Sequence, residues 1–222
     1  MKSKPLSQEG LKLIACITML IDHTGAIFFP QNMWLRIIGR LAFPIYCFLL
    51  AEGAHYTKNP AKYALRLFIG LLLAEIPFDL ALYGSLSFAH QSVMFTLLLA
   101  FLMAMCMKKL PLIGNALTVI PFYFAAEFLN TDYGGMGIIM CAVFLIGREL
   151  SEPLIFQTTG VLMVNLSYFS RSFIQPFASL AMIPVALYSG KKATGSKWIQ
   201  WAFYLFYPVH LLVLWLICTF VT

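Results

Sequence analysis

Charged residues are scarce in this sequence. Only 11% of its 222 residues are Asp, Glu, Lys or Arg, whereas about a quarter of a soluble domain is charged. No stretch of about 60 residues, the size of a small independent domain, is polar enough to form one. The composition therefore excludes a soluble globular protein, a disordered chain and a soluble domain carried on a single membrane anchor.

Motifs that would bind metal or form a disulfide framework are also lacking. The five cysteines are scattered through apolar segments, with no C-x-x-C and no His/Cys cluster, so we expect no metal. We find no internal repeat, low-complexity tract or linker, which predicts one domain over residues 1–222. The net charge of +6 resides in short loops, so it indicates membrane topology and no nucleic-acid partner.

Long apolar runs fill the chain, of which 61% is hydrophobic with a mean hydropathy of +0.84. Because a spanning helix needs about 20 apolar residues, 222 residues with short loops predict about nine spans. The fold class is therefore an all-α polytopic integral membrane protein. The sixth to eighth runs are short and leave room for a re-entrant or tilted pair. The predicted spans are Leu11–Phe29, Trp34–Ala54, Tyr63–Leu82, Gln91–Met107, Leu110–Leu129, Tyr133–Gly147, Leu154–Phe169, Phe173–Tyr188 and Trp198–Phe220.

Basic residues occupy alternate loops between these spans. Such asymmetry predicts a cytoplasmic N-terminus, and nine spans then place the C-terminus outside. The first apolar run resembles a signal peptide, but Asp22 and His23 interrupt it, so we interpret it as an uncleaved span. The expected location is a bacterial cytoplasmic (inner) membrane, with multiple passes and membrane lipids as partners. The loops on the other side contain only one basic residue, Arg171. The residues that set this orientation are Lys2, Lys4, Lys58, Lys62, Lys108, Lys109, Arg148, Lys191, Lys192 and Lys197.

Several charged residues nevertheless fall inside predicted spans, where each costs at least about 2.5–3.5 kcal/mol. At 1.5 Å per residue they converge on the outer half of the membrane. Arg36 and Arg40 share one helix face, as do Glu75 and Asp79, because each pair is four residues apart. The layer is formed by Asp22, His23, Arg36, Arg40, Glu75 and Asp79, and His90, Gln91, Glu127 and Asp132 also lie near the outer face. Singly, each residue also fits a structural role, such as an ion pair between helices.

A polar layer of this kind favours two classes of chemistry. A histidine beside a carboxylate can remove a proton from a hydroxyl or amine, and paired arginines suit phosphate or carboxylate groups. The same parts fit a proton-coupled transporter. Transporters usually have internal repeats, so the short, repeat-free chain favours an enzyme. A third hypothesis is a non-catalytic assembly factor of an envelope machine.

An ordered set of segments resembles the TraX family over most of the chain. The first contains Asp22-His23-Thr-Gly25 and the second contains Leu35-Arg36-Ile-Ile-Gly39-Arg40, and further segments continue the match in order. These segments are residues 10–25, 35–45, 51–53, 74–79, 91–97, 132–134 and 204–211.

The resemblance implies an activity that composition and spacing do not give. The activity named for the family is N-terminal acetylation of conjugative F-type pilin, and the family is similar to transmembrane acyltransferases that use cytoplasmic acyl-CoA. The implied donor is acetyl-CoA, and the acceptor is an amine or hydroxyl on the outer face. A pilin-like N-terminus or an envelope glycan would serve.

We map a hypothesis for this activity onto the residues of the sequence. His23, assisted by Asp22, would act as the general base. Arg36 and Arg40 would bind anionic parts of the donor or orient Asp22, Glu75 and Asp79, and the last two would shape the acceptor end. The donor end would comprise Glu52, His55, Lys58, Lys62, Lys108 and Lys109, with Tyr207 and His210 along the acyl channel. Glu52 and His55 could also simply extend to the membrane surface, and His210 could be a packing residue.

Overall fold

The computed structural model describes residues 4–87, 89–191 and 197–221. Within these ranges the chain is helical, and its β-structure is limited to two isolated bridges. Lys2 and Lys192 of the predicted basic loops lie outside the described residues. The helices are α1 (Gln8–Phe28), α2 (Met33–Gly39), α3 (Ala42–Tyr56), α4 (Pro60–Tyr83), α5 (Val93–Met107), α6 (Leu112–Phe128), α7 (Gly134–Gly147), α8 (Pro153–Ser167), a 3-10 helix (Gln175–Ala181), α9 (Met182–Ala186) and α10 (Lys197–Val221).

Among the described residues, three stretches are long and apolar enough to cross a membrane. They are α1, the α2–α3 pair over Met33–Tyr56, and Trp201–Phe220 within α10. The described residues also form shorter apolar helices, including α5, α6 and α7. Large apolar side chains such as Leu72, Phe124 and Phe128 are exposed on the helix surfaces. A soluble protein seldom exposes so much contiguous apolar surface, so the predicted all-helical, membrane-like architecture is confirmed at this level.

Two predicted spans are not continuous α-helices. The second divides into α2 and α3, with Arg40 and Leu41 forming a turn between them. The eighth, Phe173–Tyr188, becomes the 3-10 helix followed by the five-residue α9. Even at the 3-10 rise of about 2.0 Å per residue, residues 175–186 cover about 24 Å, less than the roughly 30 Å hydrocarbon core. Pro184 lacks the amide hydrogen that a continuous α-helix would use at this position.

The core lies where α3 packs against α1, α5 and α7. Glycine permits close approach in this region, since a Cβ on Gly137 of α7 would lie 2.5 Å from Thr96 of α5. Close packing of small residues is how helices associate in lipid, where the hydrophobic effect between helices is absent. The largest fully buried side chains include Phe78, Phe101, Phe144, Met103 and Met140.

Backbone pairing between loops defines the two ends of the helix bundle. At one end, the amide of Gln91 donates to Asn130 and the amide of Asp132 donates to Gln91. We call this the site end. At the opposite end, the amide of Leu6 donates to Leu187 and the amide of Ser189 donates to Leu6. Helix α1 therefore runs from the opposite end toward the site end, and α3 returns.

Candidate functional site

A polar cavity of about 100 Å³ opens at the site end. Helices α1, α2, α3 and α10 and the turn before α7 contribute its walls. This volume accommodates a group of a few heavy atoms and not a whole nucleotide. The polar residues that line it are Asp22, His23, Arg36, Arg40, Tyr46, Asp132, Tyr133 and Tyr207.

Asp22 is paired with Arg36. Nη1 of Arg36 donates to Oδ2 of Asp22 at 2.8 Å and to the Asp22 carbonyl at 3.0 Å. The two side chains are only 14% and 26% exposed, so each charge depends on the other for compensation. The close approach is possible because Gly39 has no side chain, since a Cβ there would lie 2.1 Å from the Asp22 Cβ. Asp22 is therefore paired with Arg36, one of the partners that the sequence predicted for it, and its assistance to His23 remains a prediction.

His23 is bonded to His210. Nδ1 of His23 lies 2.7 Å from Nε2 of His210, which sits 187 positions later in the chain. Nδ1 of His210 in turn lies 2.7 Å from the carbonyl oxygen of Phe206. Tyr207 also borders the cavity, with its ring edge toward His23. His210 and Tyr207 thus lie beside His23, the predicted general base. The sequence analysis placed them along the acyl channel.

Arg40 joins the cavity to the turn before α7. Its guanidinium lies in the electrostatic field of Tyr133, Asp22 and Asp132, while its Nε has no partner among the described residues. Asp132 lines the cavity, where desolvation raises the pKa of its carboxyl to about 6 although Arg40 lowers it. The pKa of the Asp132 carboxyl therefore lies above its usual value of 3.8.

Glu75 and Asp79 lie at the site end but outside the cavity lining. The amide and hydroxyl of Ser92 both donate to Glu75, the hydroxyl at 2.7 Å. The amide of Ser87 donates to Asp79 at 2.8 Å. Both acids thus stabilise the α4–α5 connection and the beginning of α5. Among the described residues, neither forms the interhelical ion pair with Arg36 or Arg40 that the spacing allowed.

The remaining predicted residues lie at the opposite end of the bundle. Glu52 is buried and pairs with Arg148, whose guanidinium also lies over the Tyr56 ring at 4.9 Å. This pairing contrasts with the alternative that Glu52 extends to the membrane surface. The predicted donor-binding residues His55, Lys58 and Lys62 are exposed. Glu52 is ten residues along α3 from Ala42 in the cavity wall, which corresponds to about 15 Å.

Sequence reasoning left several cavity residues out of the site. Asp132 and Tyr133 fall in a segment that resembles the family, which is a signal that could have selected them. Tyr46 gives no such signal, because an isolated tyrosine in an apolar run fits ordinary packing. Its hydroxyl lies 3.3 Å from the sulfur of Cys16. The described residues contain no group of three or more His, Cys, Asp or Glu placed to hold a metal ion.

Comparison with known proteins supports one family. The family model described as TraX protein matches residues 7–218. The chain is 30% identical to a probable fimbrial assembly protein FimC, serogroup H1, of Dichelobacter nodosus, covering 92% of each chain. It is also 39% identical to an uncharacterized protein of Rickettsia prowazekii (strain Madrid E), over 27% of this chain and 23% of that one. No solved structure matches.

Proposed function

This chain belongs to the TraX family, and we propose that it is a membrane-embedded acetyltransferase that moves an acetyl group from cytoplasmic acetyl-CoA to an amine or hydroxyl at the other face. The proposal includes a multi-pass location in a bacterial inner membrane with the N-terminus in the cytoplasm. Basic residues in alternate loops support this orientation. It also agrees with α1 beginning at the end opposite the cavity.

The observation that carries the proposal is the placement of His23. Its ring lines the cavity while Nδ1 is occupied by His210, so the other ring nitrogen, Nε2, is the one left for a substrate. A neutral imidazole nitrogen held at a cavity wall is suited to general base catalysis. Arg36 and Arg40 place two guanidinium groups in the same cavity.

In the proposed step, Nε2 of His23 takes a proton from the acceptor as the acceptor nitrogen or oxygen bonds to the acetyl carbonyl carbon. The carbon–sulfur bond of acetyl-CoA then breaks, and the departing sulfur receives the proton from His23. Negative charge develops on the carbonyl oxygen in between, and a buried cation such as Arg40 would stabilise it. The unpartnered Nε of Arg40 leaves this guanidinium a hydrogen-bond donor to spare.

The donor would enter from the end that carries Lys58 and Lys62. Exposed ammonium groups there suit the phosphates of coenzyme A. About 15 Å of α3 separates that end from the cavity, so only the extended thiol arm of the donor would pass between the helices. The small cavity then receives the acetyl group alone.

The test compares purified wild-type protein with His23→Gln, using acetyl-CoA labelled in the acetyl group and envelope fractions from a deletion strain as acceptor. We expect transfer to fall by about 10²- to 10⁴-fold, as for loss of a general base. His90→Gln is the matched control, because His90 is exposed outside the cavity lining, stacked on Tyr83. Unchanged transfer by folded His23→Gln protein would refute the assignment.

A second candidate is an assembly factor without chemistry. It is favoured by the name of the Dichelobacter nodosus relative, a probable fimbrial assembly protein. In that case the variants His23→Gln and Asp22→Asn would leave pilus assembly intact and no labelled acetyl group would appear on any acceptor. Uptake of a solute into vesicles without acetyl-CoA would instead support a transporter.

A further inference from the structure

The two histidine rings meet edge to edge. Their planes differ by 7° and their centroids are 4.9 Å apart. This separation is close to the largest that a 2.7 Å distance between Nδ1 and Nε2 allows for two five-membered rings. The rings are therefore almost coplanar and in line, which is the arrangement of a hydrogen bond along a ring lone pair, and they are not stacked face to face.

The Phe206 carbonyl fixes the direction of hydrogen bonding. A carbonyl oxygen only accepts, so Nδ1 of His210, 2.7 Å away, carries the hydrogen. In a neutral His210 the other nitrogen, Nε2, is then an acceptor. Nδ1 of His23 must therefore carry the hydrogen that joins the two rings, and Nε2 of His23 keeps its lone pair. We assign these tautomers from the hydrogen-bond chain.

The charges around the pair favour two neutral rings. Arg36 and Arg40 both act on His23 electrostatically, and the carboxylate of the adjacent Asp22 is already bonded to Arg36. A positive ring beside two guanidinium groups is disfavoured in a low-dielectric site, so both rings are neutral at rest and His23 is positive only while it holds the acceptor's proton. His210 is itself buried, with 6% of its surface exposed.

We propose that His210 is a positioning residue that holds His23 in its Nδ1–H tautomer, so that the basic Nε2 of His23 faces the cavity. His210 and the Phe206 carbonyl thereby replace the carboxylate that orients the base in Ser-His-Asp enzymes. The assignment of the tautomer stands on the hydrogen-bond chain alone, whereas its consequence for turnover rests on the proposed acetyl transfer.

The tautomer is measured by nitrogen NMR of protein labelled at histidine. The chain has four histidines, so a His55→Gln, His90→Gln background leaves the two of interest. We expect His23 to carry its hydrogen on Nδ1. In His210→Phe, which keeps a ring but neither hydrogen bond, we expect most of His23 to carry it on Nε2. A His23 that carries its hydrogen on Nε2, or on both nitrogens, in the parent protein would overturn the proposal.

Two further variants distinguish positioning from packing. In His210→Gln the side-chain oxygen reaches the position that Nε2 of His210 occupies and accepts from Nδ1 of His23. We therefore expect this variant to keep the Nδ1–H tautomer of His23 and most of the wild-type turnover, both of which His210→Phe loses. In His210→Asn the shorter side chain reaches only the position that Nδ1 of His210 occupies. Its amide hydrogen-bonds the Phe206 carbonyl and leaves Nδ1 of His23 without an acceptor. We expect His210→Phe and His210→Asn to lower kcat by about 10²-fold or more with little change in KM for acetyl-CoA.

Each result has a separate meaning. Wild-type turnover in folded His210→Phe protein would refute the positioning role and leave the proposed acetyl transfer standing. An absence of acetyl transfer in the wild-type protein, together with the Nδ1–H tautomer of His23, would refute the proposed function and with it the catalytic role. The tautomer assignment would survive that result. Equal kcat values for His210→Gln and His210→Asn would refute the claim that acceptance from His23 is the contribution of His210.

Discussion

Replacing Gly39 with alanine should separate α1 from α2 at the candidate site. The new Cβ would lie 2.1 Å from the Cβ and 2.3 Å from Oδ1 of Asp22. Non-bonded carbon atoms require about 3.5 Å. The Asp22 Cβ is attached to the helix backbone and cannot swing away as the end of a long side chain does. The helices must therefore move apart by about 1.4 Å.

This displacement is large compared with the contacts it disturbs. The 2.8 Å bond between Asp22 and Arg36 would lengthen beyond hydrogen-bonding distance, and His23 adjoins Asp22 on α1. Overpacking of this kind costs about 1–3 kcal/mol of stability. A misplacement of about 1 Å in a reacting group can lower turnover by about 10²-fold. We therefore expect Gly39→Ala to lower kcat/KM by much more than the decrease in the amount of folded protein would explain.

The assay measures kcat/KM for acetyl transfer together with the thermal unfolding midpoint in the same detergent. Gly160→Ala is the matched control, because its Cβ would lie 2.6 Å from Val143 at the α7–α8 contact, outside the cavity lining. We expect the control to lower stability comparably and to leave kcat/KM unchanged. If Gly39→Ala has wild-type activity and stability, the close contact and the reasoning from it are wrong.

Three other predictions concern charge. Desolvation raises the pKa of the Asp132 carboxyl to about 6, so its ionised form opposes folding at higher pH. Asp132→Asn should thus raise the unfolding midpoint at pH 8, with a gain that shrinks as the pH falls through 6 toward 3.8. A gain independent of pH would contradict this. Glu127 accepts from the Gly135 amide at the beginning of α7. Glu127→Ala should therefore cost about 1 kcal/mol, as measured by denaturant or thermal unfolding, and Glu127→Gln should cost less. Equal losses would argue against the cap. Asp22→Asn should destabilise the fold by about 2–3 kcal/mol because it leaves Arg36 unpaired. Adding Arg36→Met should recover part of that loss in a double-mutant cycle.

The sequence predicts the polar layer well because helix geometry alone determines it. Asp22 near the end of one helix and Arg36 near the beginning of the next approach each other whenever two helices form a hairpin. Residue spacing of 1.5 Å per position gives their depth. The structure accordingly brings Asp22, His23, Arg36 and Arg40 to one cavity.

Long-range partners were beyond this reasoning. His23 and His210 are 187 positions apart, and periodicity says nothing about which helix packs beside α1. The same limit affected Glu52, whose partner Arg148 follows a different helix, and Glu75, which holds a backbone amide instead of an arginine. The 3-10 helix at Gln175–Ala181 was missed because apolar composition does not distinguish a regular α-helix from an irregular apolar segment.

The proposed acyl transfer occurs in the cavity beside His23. The most direct test is an experimental structure of the protein with a non-hydrolysable acetyl-CoA analogue in lipid nanodiscs. We predict density for the nucleotide near Lys58 and Lys62 and for the acyl end in the cavity. The space between the acyl end and Nε2 of His23 should fit one acceptor group that hydrogen-bonds this nitrogen. Density whose acyl end lies away from this cavity, or no binding at saturating analogue, would contradict the account.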